Sequence, residues 1–249
     1  MLLTGYFKYE GLFIYFLYLC NHVFISIKGK QPIKTLGMEN CNIVALFDLD
    51  GVILDTETNY TVFWDNIGLK YLGLEDFCRR IKGQTLVHIF DEWFTKNSDR
   101  QRITAELDEF ENSMPYDFVP GAEEFLHSLK SAAIPMAVVT SSNARKMEVV
   151  FNRRPQLRAL FDHVLMSEDF TESKPSPQCF IRGMEKFGAG PSKTIVFEDS
   201  VSGLQAGKAS GATLVGLTTT NPASVVSQYA DYVIPDFVGR SLSDFPLIK

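Results

Sequence analysis

Short apolar runs that end in polar or small residues recur along the chain after Met38. These runs read IVALFDLD, MAVVTSS, HVLMSED, TIVFEDS, TLVGLTT and DYVIPD, and each has the length of a buried strand. Segments with apolar residues at helical spacing lie between several of them, at 121–132, 177–187 and 201–209. Strands that alternate with helices predict an α/β fold with a Rossmann-like parallel sheet. Since the runs are apolar at consecutive positions, helices are expected on both faces of the sheet.

One block interrupts this alternation, between the first strand and the second. Residues 57–118 carry helical patterns and no strand pattern, and Tyr60 and Trp64 share one face of the first helix. Two further helices are predicted in TLVHIFDEWF and ITAELDEFENSM. The pattern therefore predicts an α/β core at 38–56 and 119–249, with an inserted, all-helical cap domain at 57–118.

Residues 1–37 form a hydrophobic leader of a different kind. No residue between Gly11 and Ile27 is charged, and this stretch has the shortest length that could cross a bilayer. A membrane anchor, a signal peptide and a leader outside the working protein are three open interpretations. We favour the third, because Met38 directly precedes the first strand of the predicted core. Without the leader, the sequence predicts a cytoplasmic protein that has no membrane partner.

Composition narrows the functional classes. The formal net charge of -6 argues against nucleic acid as a partner, because nucleic-acid binding needs a basic surface. A negative net charge is still compatible with a local basic pocket that binds a small anion. The 4 cysteines contain no C-x-x-C pair, which predicts free, mostly buried thiols in a reducing compartment.

Polar residues that follow the strands carry the candidate chemistry. Parallel strands bring their carboxyl ends to one edge of the sheet, where α/β proteins bind ligands. The residues predicted to meet there are Asp48, Asp50, Thr140, Ser141, Ser142, Asn143, Lys174, Glu198 and Asp199. Clustered carboxylates repel each other unless a cation holds them, and Mg²⁺ prefers oxygen ligands. Hydroxyls at a helix N-terminus, here Thr140 and Ser141, suit the oxygens of a phosphate, and so does a lysine.

The same residues predict a reaction. A carboxylate that lies in line with a bound phosphoryl group can attack phosphorus and form an aspartyl-phosphate. A second acid can protonate the leaving oxygen and then take a proton from the water that hydrolyses the intermediate. The spacing of Asp48 and Asp50 allows one turn to supply both acids.

Four stretches carry a resemblance to a known family: FDLDGVILDTE, VVTSS, SKPSP and VFEDSVSGLQAG. They resemble the four motifs of the haloacid dehalogenase-type phosphohydrolases, in the family's order and over about residues 42–235. The helical block after the first motif is similar to that of the β-phosphoglucomutase-like subgroup. The resemblance implies that Asp48 is the nucleophile and Asp50 the general acid/base. It also implies that Thr140 and Lys174 hold the phosphate.

The resemblance further implies a Mg²⁺ cofactor and a loop that reads the substrate. The metal ligands would be Asp48, the backbone carbonyl of Asp50, Asp199 and Glu198. The family's specificity loop lies in the cap, where this chain has RIKGQTLVH. The candidates for substrate specificity are Lys82, Gly83, Gln84 and Thr85, together with Asn143 near the phosphate site.

Two departures from β-phosphoglucomutase bear on the activity. Tyr60 stands where the mutase has a cap histidine, and Leu86 stands where its arginine grips a second phosphate. They favour a phosphatase that acts on a small phosphorylated metabolite, and we expect a sugar or polyol phosphate. A phosphomutase, an inorganic pyrophosphatase and a non-catalytic phospho-acceptor switch are the alternatives. Asp50 and the cap argue against the switch, because a switch needs neither.

Overall fold

The structure, a computed structural model, describes residues 3–9, 12–19, 22–27 and 43–248. The chain divides into two compact units, and the first contains three antiparallel strands with the second in the centre. These strands are β1 (Leu3–Tyr9), β2 (Leu12–Leu19) and β3 (His22–Ile27). Across the described residues, no helix has both the length and the apolar character needed to span a bilayer. Met38 lies outside the described residues, so the status of the leader stays a prediction.

The second unit is built on a six-stranded parallel sheet with the order β6-β5-β4-β7-β8-β9. Its strands are β4 (Val44–Phe47), β5 (Met136–Val139), β6 (His163–Leu165), β7 (Thr194–Glu198), β8 (Thr213–Leu217) and β9 (Tyr232–Ile234). All the apolar runs singled out above form strands, so the predicted parallel sheet is confirmed. The strand order reverses beside β4, because β5 and β6 lie on one side of it and β7, β8 and β9 lie on the other. Such a reversal marks the ligand-binding edge of an α/β sheet.

The helices are α1 (Glu57–Leu72), α2 (Phe77–Ile81), α3 (Leu86–Trp93), α4 (Asn97–Ser113), α5 (Ala122–Ser131), α6 (Ala144–Arg153), α7 (Pro155–Leu160), α8 (Gln178–Lys186), α9 (Val201–Ser210) and α10 (Ala223–Val226). Helices α5, α8 and α9 coincide with the three segments predicted from apolar spacing. The sequence does not predict α2, α7 and α10. They have only 5, 6 and 4 residues, which is too short for a periodic pattern.

The central strand β4 explains why both faces of the sheet are covered. Phe47 packs into one apolar cluster with Phe125 of α5, and Leu46 packs into a second cluster with Phe180 of α8. Successive side chains of a strand point to opposite faces, so a strand between two helical layers must be apolar at every position. Phe47 also stacks on Phe197 of β7, with ring centroids 4.5 Å apart. The predicted helices on both faces are therefore confirmed.

Helices α1 to α4 all lie between β4 and β5 in the chain, and residues 57–113 contain no strand. The chain leaves the sheet and returns to it at adjacent points. The N–H of Asp55 donates to the carbonyl of Asp117 at 2.8 Å, and the N–H of Val119 donates to the carbonyl of Ile53 at 3.0 Å. This arrangement fits an inserted helical block. That residues 57–118 act as a separate cap domain stays a prediction.

Candidate active site

The segment after β4 turns sharply around a buried leucine. The side chain of Leu49 is fully buried, and its carbonyl accepts the N–H groups of Ile53 at 2.9 Å and Leu54 at 3.0 Å. Gly51 has a φ of +75°, a conformation that costs other residues strain. The turn therefore places Asp48 and Asp50 on either side of Leu49, at the carboxyl end of the central strand.

Asp48 lies against a buried lysine. The Nζ of Lys174 is 2.6 Å from Asp48 Oδ1 and 2.6 Å from Glu198 Oε1, so one ammonium bridges two carboxylates. Burial raises the pKa of Asp48 to about 7, although Lys174 opposes the rise. Burial also works against the charge of Lys174, but Asp48 and Glu198 raise its pKa above the ordinary value. Lys174 thus holds its charge in the interior because two carboxylates surround it.

Asp50 points to a different set of donors. Its Oδ2 accepts from Ser142 Oγ at 3.1 Å and lies 2.5 Å from Lys146 Nζ, and its Oδ1 accepts from the hydroxyl of Thr56. The two aspartates are therefore in chemically distinct surroundings. Asp48 shares a lysine with a second carboxylate, whereas Asp50 has a lysine and two hydroxyls to itself.

Glu198, at the end of β7, uses both carboxylate oxygens within the protein. Its Oε1 receives Lys174, and its Oε2 accepts the N–H groups of Asp199 at 2.7 Å and Ser200 at 2.8 Å. These bonds hold the turn from β7 into α9 in place. A Cβ on Gly203 would lie 1.7 Å from Glu198 Oε1, so the helix approaches this carboxylate too closely for any side chain there. Both oxygens of Glu198 thus have donors within the protein, and a direct metal contact by Glu198 stays a prediction.

Asp199 is a buried carboxylate whose two oxygens differ in their hydrogen bonding. Its Oδ2 accepts from the hydroxyl of Thr220, while its Oδ1 is buried and has no hydrogen-bond partner among the described residues. Burial raises the pKa of Asp199 well above the ordinary value, and the neighbouring carboxylates of Glu57, Glu198 and Asp48 add to the rise. A bound cation would give this oxygen a partner and would offset the repulsion between these like charges.

The residues at this edge fit a Mg²⁺ ion. The orphaned Oδ1 of Asp199 offers one oxygen ligand, and the carboxylate of Asp48 and the carbonyl of Asp50 can supply two more. A Cβ on Gly51 would lie 2.1 Å from Asp199 Oδ2, so this glycine keeps the turn close to that carboxylate. No three His, Cys, Asp or Glu side chains within the described ranges are already grouped as a metal site. Mg²⁺ commonly takes only one or two carboxylates and fills its other positions with water and substrate phosphate.

The predicted phosphate site lies at the end of β5. Thr140 is buried there, and its Oγ1 accepts the N–H of Ser142 at 3.0 Å. Asn143 caps α6, because its Oδ1 accepts the N–H of Lys146 at 2.9 Å. The hydroxyl of Ser141 donates to the carbonyl of Gly83 at 3.0 Å, so it faces the helical insertion. The loop and the N-terminus of α6 form the type of backbone that binds anions.

The predicted specificity loop lies against the sheet edge. Lys82 Nζ is 2.5 Å from Glu57 Oε2, and the carbonyl of Lys82 accepts from Ser202 Oγ at 2.7 Å. Gly83 has a φ of +79°, and a Cβ there would lie 2.0 Å from Ser202 Oγ. Only glycine permits this close approach without strain. The hydroxyl of Thr85 lies 2.8 Å from that of Ser173.

One cavity brings most of the candidate residues together. The candidates on its wall are Asp48, Asp50, Lys82, Gly83, Gln84, Thr140, Ser141, Asn143 and Asp199. The space within it that the centre of a water-sized molecule can occupy is about 130 Å³. Glu198 is buried and bonds to Lys174, which in turn bonds to Asp48. Lys174 and Thr85 line a neighbouring groove. The structure thus joins the residues of the sheet edge with those of the helical insertion.

Three charged residues of this cavity are not predicted from the sequence, namely Lys146, Glu111 and Glu57. Lys146 is only 5% exposed, although its position in the first turn of α6 is typical of a solvated lysine. Its ammonium lies 4.3 Å from the ring centroid of Tyr60, which comes from α1. Only the contact between distant parts of the chain buries these groups, so a local pattern carries no signal for them.

Comparison with known proteins shows the family of the chain and its fold. The sequence profile described as haloacid dehalogenase-like hydrolase matches residues 45–217. A (DL)-glycerol-3-phosphatase 1 from Arabidopsis thaliana is 28% identical over 80% of this chain and 70% of its own length. A phosphorylated carbohydrates phosphatase from Thermotoga maritima is 32% identical over 67% of this chain and 80% of its own length. The crystal structure of a HAD hydrolase from Entamoeba histolytica has the same fold. Its TM-score is 0.69 at 20% identity, over 82% of this chain and 97% of that chain.

Proposed function

The chain belongs to the haloacid dehalogenase-like hydrolase family and is a phosphoric monoester hydrolase of small phosphorylated metabolites. From this premise we propose that it is a Mg²⁺-dependent phosphatase that works through an aspartyl-phosphate intermediate. The observation that carries the proposal is the separation of two neighbouring aspartates into different surroundings. Asp48 faces the carboxylate cluster and Lys174, whereas Asp50 is held apart by Lys146 and Ser142.

The first half of the proposed reaction transfers the phosphoryl group to the protein. A carboxylate oxygen of Asp48 attacks phosphorus and forms an O–P bond, while the bond to the leaving oxygen breaks. Asp50, in its protonated form, gives its proton to that oxygen, so the alcohol leaves neutral. Thr140 and Lys174 bind the phosphoryl oxygens. Mg²⁺, held by Asp48, Asp199 and the carbonyl of Asp50, would neutralise charge on the phosphoryl group.

The second half regenerates the enzyme. Asp50, now ionised, takes a proton from a water molecule, and the water oxygen attacks phosphorus. The bond between phosphorus and Asp48 breaks, and inorganic phosphate leaves. Because Asp50 begins and ends protonated, the cycle balances without any further acid. The paired Lys146 and Ser142 keep Asp50 in one orientation for both proton transfers.

For the substrate, we propose a sugar or polyol phosphate. Two of the relatives described above are named for glycerol 3-phosphate and phosphorylated carbohydrates. A phosphomutase is less consistent with the cavity, because apolar Leu86 lies on its wall and Lys82 is already paired with Glu57. Nothing about the cavity favours pyrophosphate or a permanent phospho-acceptor over these esters.

The proposed setting is the cytoplasm, with no nucleic acid or membrane as a partner. Cys78 and Cys179 are free and buried, and burial raises the pKa of each thiol to about 11. Inert thiols of this kind are consistent with the reducing compartment that the sequence predicts. Cys20 and Cys41 lie outside the described residues.

The test is phosphate release from glycerol 3-phosphate and from hexose phosphates, with and without Mg²⁺. We expect turnover that stops when EDTA removes the metal and that is lost in Asp48→Asn. The matched control is Asp55→Asn, since Asp55 is exposed and lies in the same segment. Turnover by Asp48→Asn at the wild-type rate would overturn the proposal, as would turnover that is insensitive to EDTA.

A further inference from the structure

The wall of the cavity has an apolar part in addition to the polar sheet edge. Helices α1, α3 and α4 contribute an apolar wall that contains Trp64, Leu86, Ile89 and Leu107. Two charged side chains interrupt it, Glu111 near the end of α4 and Lys146 from α6. A phosphate bound beside Asp48 would direct its leaving group toward this part of the wall, because Asp50 must reach the leaving oxygen. The charged pair is therefore next to the group that leaves.

Glu111 is a buried acceptor without a cationic partner. It is 6% exposed, and its Oε1 accepts the hydroxyl of Tyr60 at 2.9 Å. In the described part of the chain it forms no ion pair within 4.0 Å. Burial raises its pKa, while the charge of Lys146 opposes the rise. A carboxylate accepts about four hydrogen bonds, and a single phenol leaves most of that capacity unused.

Lys146 is the complementary donor. Its ammonium has three N–H groups, and the structure accounts for one of them with the bond to Asp50. It lies over the ring of Tyr60, whose hydroxyl bonds to Glu111, so one aromatic side chain separates the donor from the acceptor. Lys146 is held by its bond to Asp50, whereas Glu111 has no cation within 4.0 Å in the described part of the chain, so Glu111 is the carboxylate here that can still take a donor from the leaving group.

We propose that Glu111 and Lys146 form a leaving-group subsite that binds the hydroxyls of a neutral polyol and disfavours an anionic leaving group. A hydroxyl of the leaving group can donate to Glu111, and a neighbouring one can accept from Lys146. A carboxylate or a second phosphate at the same place would meet Glu111 at close range. A site built to bond hydroxyls discriminates strongly against analogues that lack them. This inference rests on the proposed phosphatase function and specifies its substrate class.

The test compares glycerol 3-phosphate with phosphoglycolate, which replaces the diol by a carboxylate. Wild type should prefer glycerol 3-phosphate by kcat/KM. Glu111→Gln keeps the shape of the side chain and removes its charge. We expect it to shift the ratio of the two kcat/KM values toward phosphoglycolate by about tenfold or more. Glu111→Asp keeps the charge and should retain the wild-type order of preference.

The matched control is Glu109→Gln, since Glu109 is exposed on the same helix and should leave both kcat/KM values unchanged. A second variant, Lys146→Met, removes a donor to hydroxyls, so it should lower kcat/KM for glycerol 3-phosphate more than for ethyl phosphate, whose leaving group has neither a hydroxyl nor a charge. Thermal unfolding identifies any variant that fails to fold, and the variants that do fold test the leaving-group subsite.

Failure of this inference is distinct from failure of the proposed function. If wild type hydrolyses phosphomonoesters but Glu111→Gln leaves the ratio unchanged, the subsite is refuted and the phosphatase stands. A wild-type preference for phosphoglycolate or pyrophosphate would also refute the subsite alone. If no phosphomonoester is turned over in Mg²⁺, the proposed function fails first.

Discussion

The stability of the metal-free protein should depend on pH through Asp48. Burial raises the pKa of Asp48 from 3.8 to about 7, with Lys174 opposing the rise and Glu198 and Asp50 adding to it. A carboxyl with a higher pKa in the folded state binds its proton more tightly when the protein is folded. Its stabilising contribution is complete below the unfolded pKa and is lost as pH rises to about 7. At about 1.4 kcal/mol per pKa unit, the loss is about 4 kcal/mol.

The assay is urea unfolding in EDTA, at a series of pH values between the unfolded and the folded pKa of Asp48. Asp48→Asn has the same shape and does not titrate, so the groups that do not interact with Asp48 cancel in the comparison. The unfolding free energy of wild type minus that of Asp48→Asn should fall by about 4 kcal/mol as pH rises through this window. In saturating Mg²⁺ the unfolding free energy of wild type should depend less on pH, because the cation binds the ionised carboxylate. A difference that does not vary with pH, or that grows with pH, would refute the reasoning.

Two further substitutions test the buried charges and the turn. Lys174→Met leaves two buried carboxylates without their shared cation, so the free energy of unfolding measured in urea should fall by about 3–5 kcal/mol. An unchanged urea midpoint would contradict the ion-pair account. Gly51→Ala places a Cβ 2.1 Å from Asp199 Oδ2 at a φ of +75°, and should abolish Mg²⁺-dependent turnover in a phosphate-release assay. Gly73→Ala is its control, because φ is +66° there with no atom within 4 Å; it should cost about 1–2 kcal/mol and keep full turnover.

The strands and the sheet edge could be predicted from sequence because their signals are local. Each strand is a short apolar run, and parallel strands bring the residues that follow them to one edge. The chain alone therefore indicated that Asp48, Thr140 and Asp199 would meet. Short helix α2 was not predictable, since it has 5 residues and begins after Asp76, which has a φ of 51°.

The burial of Lys146 and Glu111 in the cavity could not be predicted, because their environment comes from remote parts of the chain. Lys146 is buried by Tyr60, which lies in a helix before β5, and Glu111 is buried by the same tyrosine. The sequence marked Tyr60 as part of one face of the first helix and as a departure from the mutase pattern, but not as a contact of these two residues. The structure gives that departure a physical meaning, because the tyrosine links an acceptor and a donor beside Asp50.

The most direct test of the central claim is to trap the phosphorylated enzyme. Asp50→Asn should still accept a phosphoryl group from a good substrate, because the nucleophile is intact, but hydrolysis of the intermediate should be very slow. Acid quench followed by mass spectrometry of the peptides should then find one phosphoryl group on Asp48. The account predicts that this label is absent from Asp48→Asn combined with Asp50→Asn. A phosphoryl group on any other residue, or turnover of substrate by Asp50→Asn with no label on Asp48, would contradict it.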